Sequence, residues 1–215
     1  MKTFDPSLYL VTDSTSLCEE AFLLRIEQAL QGGVTLLQLR EKERTTLDYI
    51  TLAKKVHAIA KRYHVPLIID DRVDVALAID AEGVHVGRTD MPVSDARKLM
   101  GPDKIIGATA KTIPQAMEAC QQGADYLGVG AIYPTTTKVR TVRTSAETLD
   151  AICTAVPIPV NAIGGLNKDN LDILKGIPIA GICVVSAIMK ADNPRTAAAE
   201  LKTKISEWTH EEKHL

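Results

Sequence analysis

Aromatic side chains make up only 4% of this 215-residue chain. One Trp, two Phe and five Tyr are too few to build base-stacking platforms. An excess of one charge is also missing. Twenty-five Lys and Arg stand against 27 Asp and Glu, a net charge of −2, without the basic surplus of a nucleic-acid face. No apolar run approaches the ~18 residues of a membrane span. The opening Met1-Lys2-Thr3-Phe4-Asp5-Pro6 has neither the apolar stretch nor the small-residue cleavage site of a signal peptide. Cysteine is sparse: Cys18, Cys120, Cys153 and Cys183 are isolated, and no C-x-x-C occurs. That excludes a zinc ribbon or thioredoxin-like pair and leaves reduced thiols acting as small core hydrophobes. None of His57, His64, His85, His210 or His214 has a partner at metal-ligand spacing, and no G-x-S-x-G is present, so nucleophilic hydrolysis is not expected. These absences point to a cytoplasmic protein with a small-molecule partner rather than nucleic acid or a membrane.

What is present is enough for a folded core. The chain is 46% hydrophobic and 24% charged, which is globular rather than disordered. A single domain of this size buries roughly 70% of its unfolded surface without staples. Short Val-, Ile- and Leu-rich runs, apolar on both faces like buried parallel strands, fall at Leu8–Thr12, Thr35–Arg40, Pro66–Asp70, Gly83–Val86, Ile105–Thr109, Tyr126–Gly130, Pro159–Ile163 and Gly181–Val185. They alternate with helical stretches at Glu19–Gln31, Leu47–Tyr63, Val73–Ile79, Val93–Leu99, Ile113–Gln121, Ser145–Ala155, Asn170–Leu174 and Thr196–Trp208. The second stretch puts Leu47, Ile50, Leu52, Ala53, Val56, Ile59 and Ala60 on one stripe at helical spacing. Gly32-Gly33, Gly83, Gly123 and Gly176 follow helical runs, where a left-handed residue often ends the helix. Eight strand–helix units imply an α/β fold, a single-domain (β/α)8 TIM barrel over residues 1–215, with 209–215 as a frayed tail. An open doubly wound sheet is the alternative, but no G-x-G-x-x-G follows the first strand.

The active site of such a barrel lies at the C-terminal ends of its strands, and polar residues gather there. Strand two ends Gln38-Leu39-Arg40-Glu41-Lys42, strand three Asp70-Asp71-Arg72, and Asp90 follows strand four. Strand five ends in Thr109, and strand six runs into Tyr133-Pro134-Thr135-Thr136-Thr137-Lys138. Gly164-Gly165 and Val185-Ser186 close strands seven and eight. Gln38, Arg40 and Lys42 alternate, so an extended chain aims them at one face, where two cations are costly unless an anion meets them. Alternatively, this is a solvated loop with an internal salt bridge through Glu41. Asp70, Asp71 and Asp90 offer the hard oxygens that suit Mg²⁺, although Asp71 alone could instead cap the next helix. Thr135, Thr136, Thr137 and Lys138 supply hydroxyl donors and a cation. Gly164-Gly165 could let the backbone approach a phosphate or form a plain turn.

These segments, from Leu8-Tyr9-Leu10-Val11-Thr12 to Val184-Val185-Ser186-Ala187-Ile188, resemble the thiamine phosphate synthase family. The most specific are Gln38–Lys42, Asp71-Arg72-Val73-Asp74-Val75-Ala76, Gly83-Val84-His85-Val86-Gly87, Pro134–Lys138 and Ala162-Ile163-Gly164-Gly165. The resemblance implies an alkyl transferase that joins hydroxymethylpyrimidine diphosphate to thiazole phosphate, forming thiamine phosphate and pyrophosphate. Gln38, Leu39, Arg40, Glu41, Lys42 and Lys138 would hold the diphosphate, with Arg40, Lys42 and Lys138 easing its departure. Asp71 and Asp90 would bind Mg²⁺, while Asp70 and Thr109 would line the pyrimidine site. Thr135, Thr136, Thr137, Gly165, Val185 and Ser186 would seat the thiazole phosphate. Diphosphate would leave first, giving a pyrimidine-methyl cation that the thiazole nitrogen captures. Three positions depart from the family: Asp70 for its usual Asn, Thr109 for Ser, and Gly130-Ala131 for Gly-Pro. A thiazole tautomerase of the same fold would leave Arg40, Lys42, Asp71 and Asp90 without a task; a non-catalytic barrel binding thiamine intermediates is the other alternative, with Asp70 as its best support. Association into homo-oligomers is compatible with the fold.

Overall fold

The computed structural model describes residues 3–134 and 143–211. Eight parallel strands close in chain order: β1 (Leu8–Val11), β2 (Leu36–Leu39), β3 (Leu67–Asp70), β4 (Gly83–Val86), β5 (Ile105–Ala110), β6 (Tyr126–Gly130), β7 (Val160–Ile163) and β8 (Gly181–Val184). β8 pairs with β1 in the register Leu10↔Val184, which shuts the barrel and leaves no open sheet edge. The helices are α1 (Glu19–Gln31), α2 (Thr46–Arg62), α3 (Val73–Ala78), α4 (Val93–Met100), α5 (Ile113–Gln121), α6 (Ala146–Ala155), α7 (Ser186–Met189) and α8 (Pro194–Glu211).

Local chemistry fixes several helix starts. Thr45, Thr112 and Ser145 each accept a hydrogen bond from the backbone N–H three residues on, satisfying a donor that the first helical turn leaves unpaired. The expected helix over Asn170–Leu174 is a single 3₁₀ turn, Leu171–Leu174. α7, only four residues long, is too short to leave a periodic signal in the sequence. α8 continues to Glu211, into the stretch expected to fray. Gly33, Gly123 and Gly176 have positive φ as anticipated, but Gly83 does not. It opens β4, where a Cβ would fall 2.2 Å from the Ile105 carbonyl oxygen, and Asp80 takes the left-handed position after α3 instead. Leu47, expected on the buried stripe of α2, is 74% exposed; Tyr49 and His57 are buried in that helix.

Alternation along the strands sorts the core into two shells. Leu8, Leu10, Leu37, Leu39, Ile69 and Val84 pack outward against the helices in the larger cluster. Tyr9, Val11, Leu36, Ile68, Ile105, Tyr126 and Cys183 fill the barrel interior. Each fully buried aliphatic side chain contributes about 1.5–3 kcal/mol. All four cysteines are free, but Cys18 is exposed just before α1 and Cys183 alone is fully buried. Below the interior shell, Phe4 packs edge-on against Tyr126 at 5.7 Å, and Asn161 Nδ2 donates to the Pro6 carbonyl at 2.6 Å. The segment before β1 therefore plugs the floor, and the interior opens at the other end, where the strands finish.

Candidate active site

The cavity at that end is lined by residues from every strand, among them Gln38, Arg40, Asp70, Thr109, Gly165 and Ser186. β2 ends at Leu39, so loop geometry rather than strand alternation brings Arg40 and Lys42 to the rim. The Arg40 N–H donates to Thr12 Oγ1 at 3.2 Å, tying the end of β2 to the end of β1. Lys42 Nζ lies 2.8 Å from Asp70 Oδ2 and also donates to Asp71 Oδ2, while Arg40 Nε is 3.7 Å from Asp70 Oδ2. These ion pairs hold the Lys42 ammonium above its ordinary pKa against the opposing effect of burial.

Asp71 adopts φ +59 and points back into the site; α3 begins after Arg72 with no side-chain cap. The capping alternative for Asp71 therefore falls away. Asp71 and Asp90 share a hydrogen bond, and Asp90 Oδ2 also accepts from the Gly87 N–H at 2.9 Å. Burial and this shared bond hold the Asp90 carboxyl above the usual range. At Asp71 burial pulls the same way, but the bonds from Lys42 and Asp90 outweigh it and hold that carboxyl low. Burial, followed by the charge on Asp71, raises Asp70. Asp71 and Asp90 thus face each other as two carboxylates that a divalent cation could bridge. Among the described residues no group of three or more His, Cys, Asp or Glu is placed to enclose a metal. Two oxygen donors without a fuller set of protein ligands among the described residues suit Mg²⁺, which keeps several waters, rather than an all-protein cage.

Two expected contributors face elsewhere. Leu39 is fully buried against the helices, and its carbonyl accepts from Tyr49 OH at 2.7 Å. Glu41 is turned away from Arg40 and Lys42: its Oε2 accepts from Ser14 Oγ at 3.0 Å and Arg44 Nε at 3.1 Å. The internal salt bridge thus forms with Arg44 and leaves the two rim cations to the cavity. Gly165, at φ +65, sits where a Cβ would come 2.7 Å from both the Pro134 carbonyl oxygen and Tyr133 Cβ. The absent side chain lets the β7 loop pack on the segment entering Thr135, Thr136, Thr137 and Lys138, four residues outside the described part of the chain.

Sequence reasoning missed what lies beneath the rim. Gln38 Nε2 donates to Tyr9 OH at 2.5 Å, and Tyr9 OH meets Tyr126 OH at 2.7 Å. Tyr126 OH meets His85 Nδ1 at 3.1 Å, and His85 Nε2 meets Thr109 Oγ1 at 3.0 Å. This chain of hydrogen bonds crosses the interior and ends on two side chains of the cavity. Burial pushes both tyrosine hydroxyls far above their ordinary pKa, so they remain neutral partners. Gly107 makes the crossing possible, since a Cβ there would lie 2.1 Å from Tyr126 Cζ and 2.5 Å from His85 Nδ1. The available signal was strand alternation: Tyr9 shares a face with Val11, and His85 with Gly83. Lys111, two residues beyond Thr109, also lines the cavity. A larger depression of about 650 Å³ lies beside α8, with the ion pair Lys168 Nζ–Glu200 Oε2 at 3.3 Å on its wall, but none of the expected site residues lines it.

The family model for thiamine monophosphate synthase matches residues 8–188. The chain is 54% identical over 186 residues to thiamine-phosphate synthase 2 of Streptococcus pneumoniae serotype 4, covering 86% of this chain and 89% of that one. It is 51% identical over 201 residues to the thiamine-phosphate synthase of Methanobrevibacter smithii, covering 94% and 96%. The solved thiamine phosphate pyrophosphorylase of Pyrococcus furiosus superposes with a TM-score of 0.85 at 39% identity, over 94% of this chain and 96% of that one. The chain belongs to the thiamine monophosphate synthase family.

Proposed function

We propose that this chain joins 4-amino-5-hydroxymethyl-2-methylpyrimidine diphosphate to a thiazole phosphate, releasing pyrophosphate and forming thiamine phosphate. Where the thiazole carries a carboxyl group, that group departs as CO₂. The observation that carries the reading is the gathering, at one barrel mouth, of Arg40, Lys42 and a facing pair of carboxylates above a buried hydrogen-bond chain. Breaking the pyrimidine methylene–oxygen bond builds negative charge on the departing diphosphate, and Arg40 and Lys42 stand where such charge is met. Lys138 would add a third cation. Asp71 and Asp90 would hold Mg²⁺, which as a Lewis acid neutralises leaving-group charge. The reaction needs no protein nucleophile, because the thiazole nitrogen attacks the methylene carbon.

Asp70 and Thr109 line the pyrimidine site in this reading. The chain from Gln38 through Tyr9, Tyr126 and His85 to Thr109 keeps their neighbours oriented. Thr135, Thr136 and Thr137, with Gly165, Val185 and Ser186, would seat the thiazole phosphate on the opposite rim. No helix among the described residues is long and apolar enough to cross a membrane, and cytoplasmic location is part of the proposal. The test supplies both substrates with Mg²⁺ and follows thiamine phosphate and pyrophosphate. The two should appear in equal amounts; folded protein that yields neither would refute the reading.

A further inference from the structure

We propose that Asp70 is a built-in rival of the diphosphate, competing for Arg40 and Lys42 and thereby setting how readily pyrophosphate leaves. The inference rests on the reading that a diphosphate sits on those two cations. Asp70 ends β3, with its carboxylate in the cavity and its side chain only 10% exposed. Lys42 Nζ is 2.8 Å from its Oδ2, and Arg40 Nε approaches the same oxygen at 3.7 Å. Lys42 is already shared with Asp71. At this rim Arg40 and Lys42 thus face three described carboxylates, Asp70, Asp71 and Asp90.

The three carboxylates do not have equivalent tasks. Asp71 and Asp90 face each other and can be satisfied together by one divalent cation. Asp70 is outside that pair, and its described charged partners are Arg40 and Lys42. Its backbone is fixed at the end of β3 and its side chain is largely buried, so it stays beside both cations when a diphosphate arrives. The incoming anion must share both cations with it, and each contact is weaker than it would be with Asp70 neutral. The departing pyrophosphate gains from the same competition: as it leaves, Asp70 recovers the cations. A site with strong enough cations to stabilise a leaving diphosphate would otherwise retain the product, and binding that persists after the chemical step gives no rate advantage.

The experiment is calorimetric titration of the full chain with inorganic pyrophosphate in Mg²⁺, using wild type, Asp70→Asn and Asp70→Ser. Removing one negative charge this close to the anion should tighten pyrophosphate binding roughly tenfold in both variants. Inhibition of turnover by pyrophosphate should shift to roughly tenfold lower concentration. A merely structural role for Asp70 predicts weaker binding in both, so tighter binding in either variant is not a result of damage. Pyrophosphate binding equal to or weaker than wild type in both variants overturns the proposal while leaving the substrate reading intact. A wild-type protein that takes up no pyrophosphate at all removes that reading, and the proposal with it.

Discussion

At the floor of the barrel, Arg97 donates to the carbonyls of Gly101, Lys104 and Gly123 and to Asp125 Oδ2 at 2.6 Å, while Ile106 N donates to the same carboxylate oxygen. His57 Nε2 likewise meets Glu82 Oε1 at 3.0 Å, and Glu82 Oε2 accepts the Leu67 N–H. At the mouth, Asp70, Asp71 and Asp90 crowd around Lys42 and Arg40, and Asp71 lies against Asp90. The two ends are made by the same eight strands, yet one is electrostatically complete and the other complete only when a cation and an anion arrive. Charges at the floor therefore belong to stability and charges at the mouth to chemistry, as expected for the two faces of such barrels.

The largest effect should come from the mouth. Asp71→Asn keeps a side chain that tolerates the left-handed backbone at this position but removes the carboxylate facing Asp90. Turnover should fall by about 10²–10³, the scale of losing one preorganised electrostatic partner, and the response to added Mg²⁺ should flatten. Stability should fall by no more than about 1 kcal/mol, because Asn gives up the partly exposed ion pair with Lys42 that holds the Asp71 carboxyl low. An Asp71→Asn enzyme with full activity and an unchanged Mg²⁺ response would remove the metal assignment. The floor should give the converse result. Arg97→Met strips the clamp joining α4 to the loops before β5 and β6, at a cost of about 3 kcal/mol. The melting temperature should drop roughly 6–12 °C, with kcat/KM of the folded enzyme within about twofold of wild type. A loss of activity that exceeds the loss of folded protein would mean that the ends are not separable.

How much of this was legible in the sequence follows from the same division. The strand positions and the mouth cluster could be read because they depend on local order: apolar runs place the strands, and whatever follows a strand lands at the mouth. The barrel's closure came from counting units, not from any single signal. The outward turn of Leu39 follows the alternation within β2, whereas that of Glu41 was not legible, because β2 ends at Leu39 and a loop does not obey alternation. For the hydrogen-bond chain from Gln38 to Thr109, alternation could give the inward faces but not the pairing. Its members lie on β1, β2, β4, β5 and β6, so only the closed barrel makes them neighbours. Asp80 replaced Gly83 as the left-handed residue because Gly83 was required for close packing on Ile105, a demand no single strand reveals.

The smallest effect is the sharpest control on whether burial or proximity decides what an ion pair contributes. Arg62 Nη2 lies 2.6 Å from Glu27 Oε1, the same separation as Arg97 from Asp125. By distance alone the two arginines should matter equally. Arg62 is 59% exposed, however, against 21% for Arg97, and water competes for both partners of the outer pair. Glu27 also accepts from Tyr63 OH at 3.0 Å, so losing Arg62 does not leave it without a donor. Arg62→Ala should therefore change stability by no more than about 0.5 kcal/mol, measured by urea unfolding beside Arg97→Met, with activity unchanged. A cost near that of Arg97→Met would show that short contacts alone carry the stabilisation. The floor's charges would then owe nothing to their burial, and the contrast with the mouth would have to rest on which end binds ligand rather than on how completely each end matches its own charges.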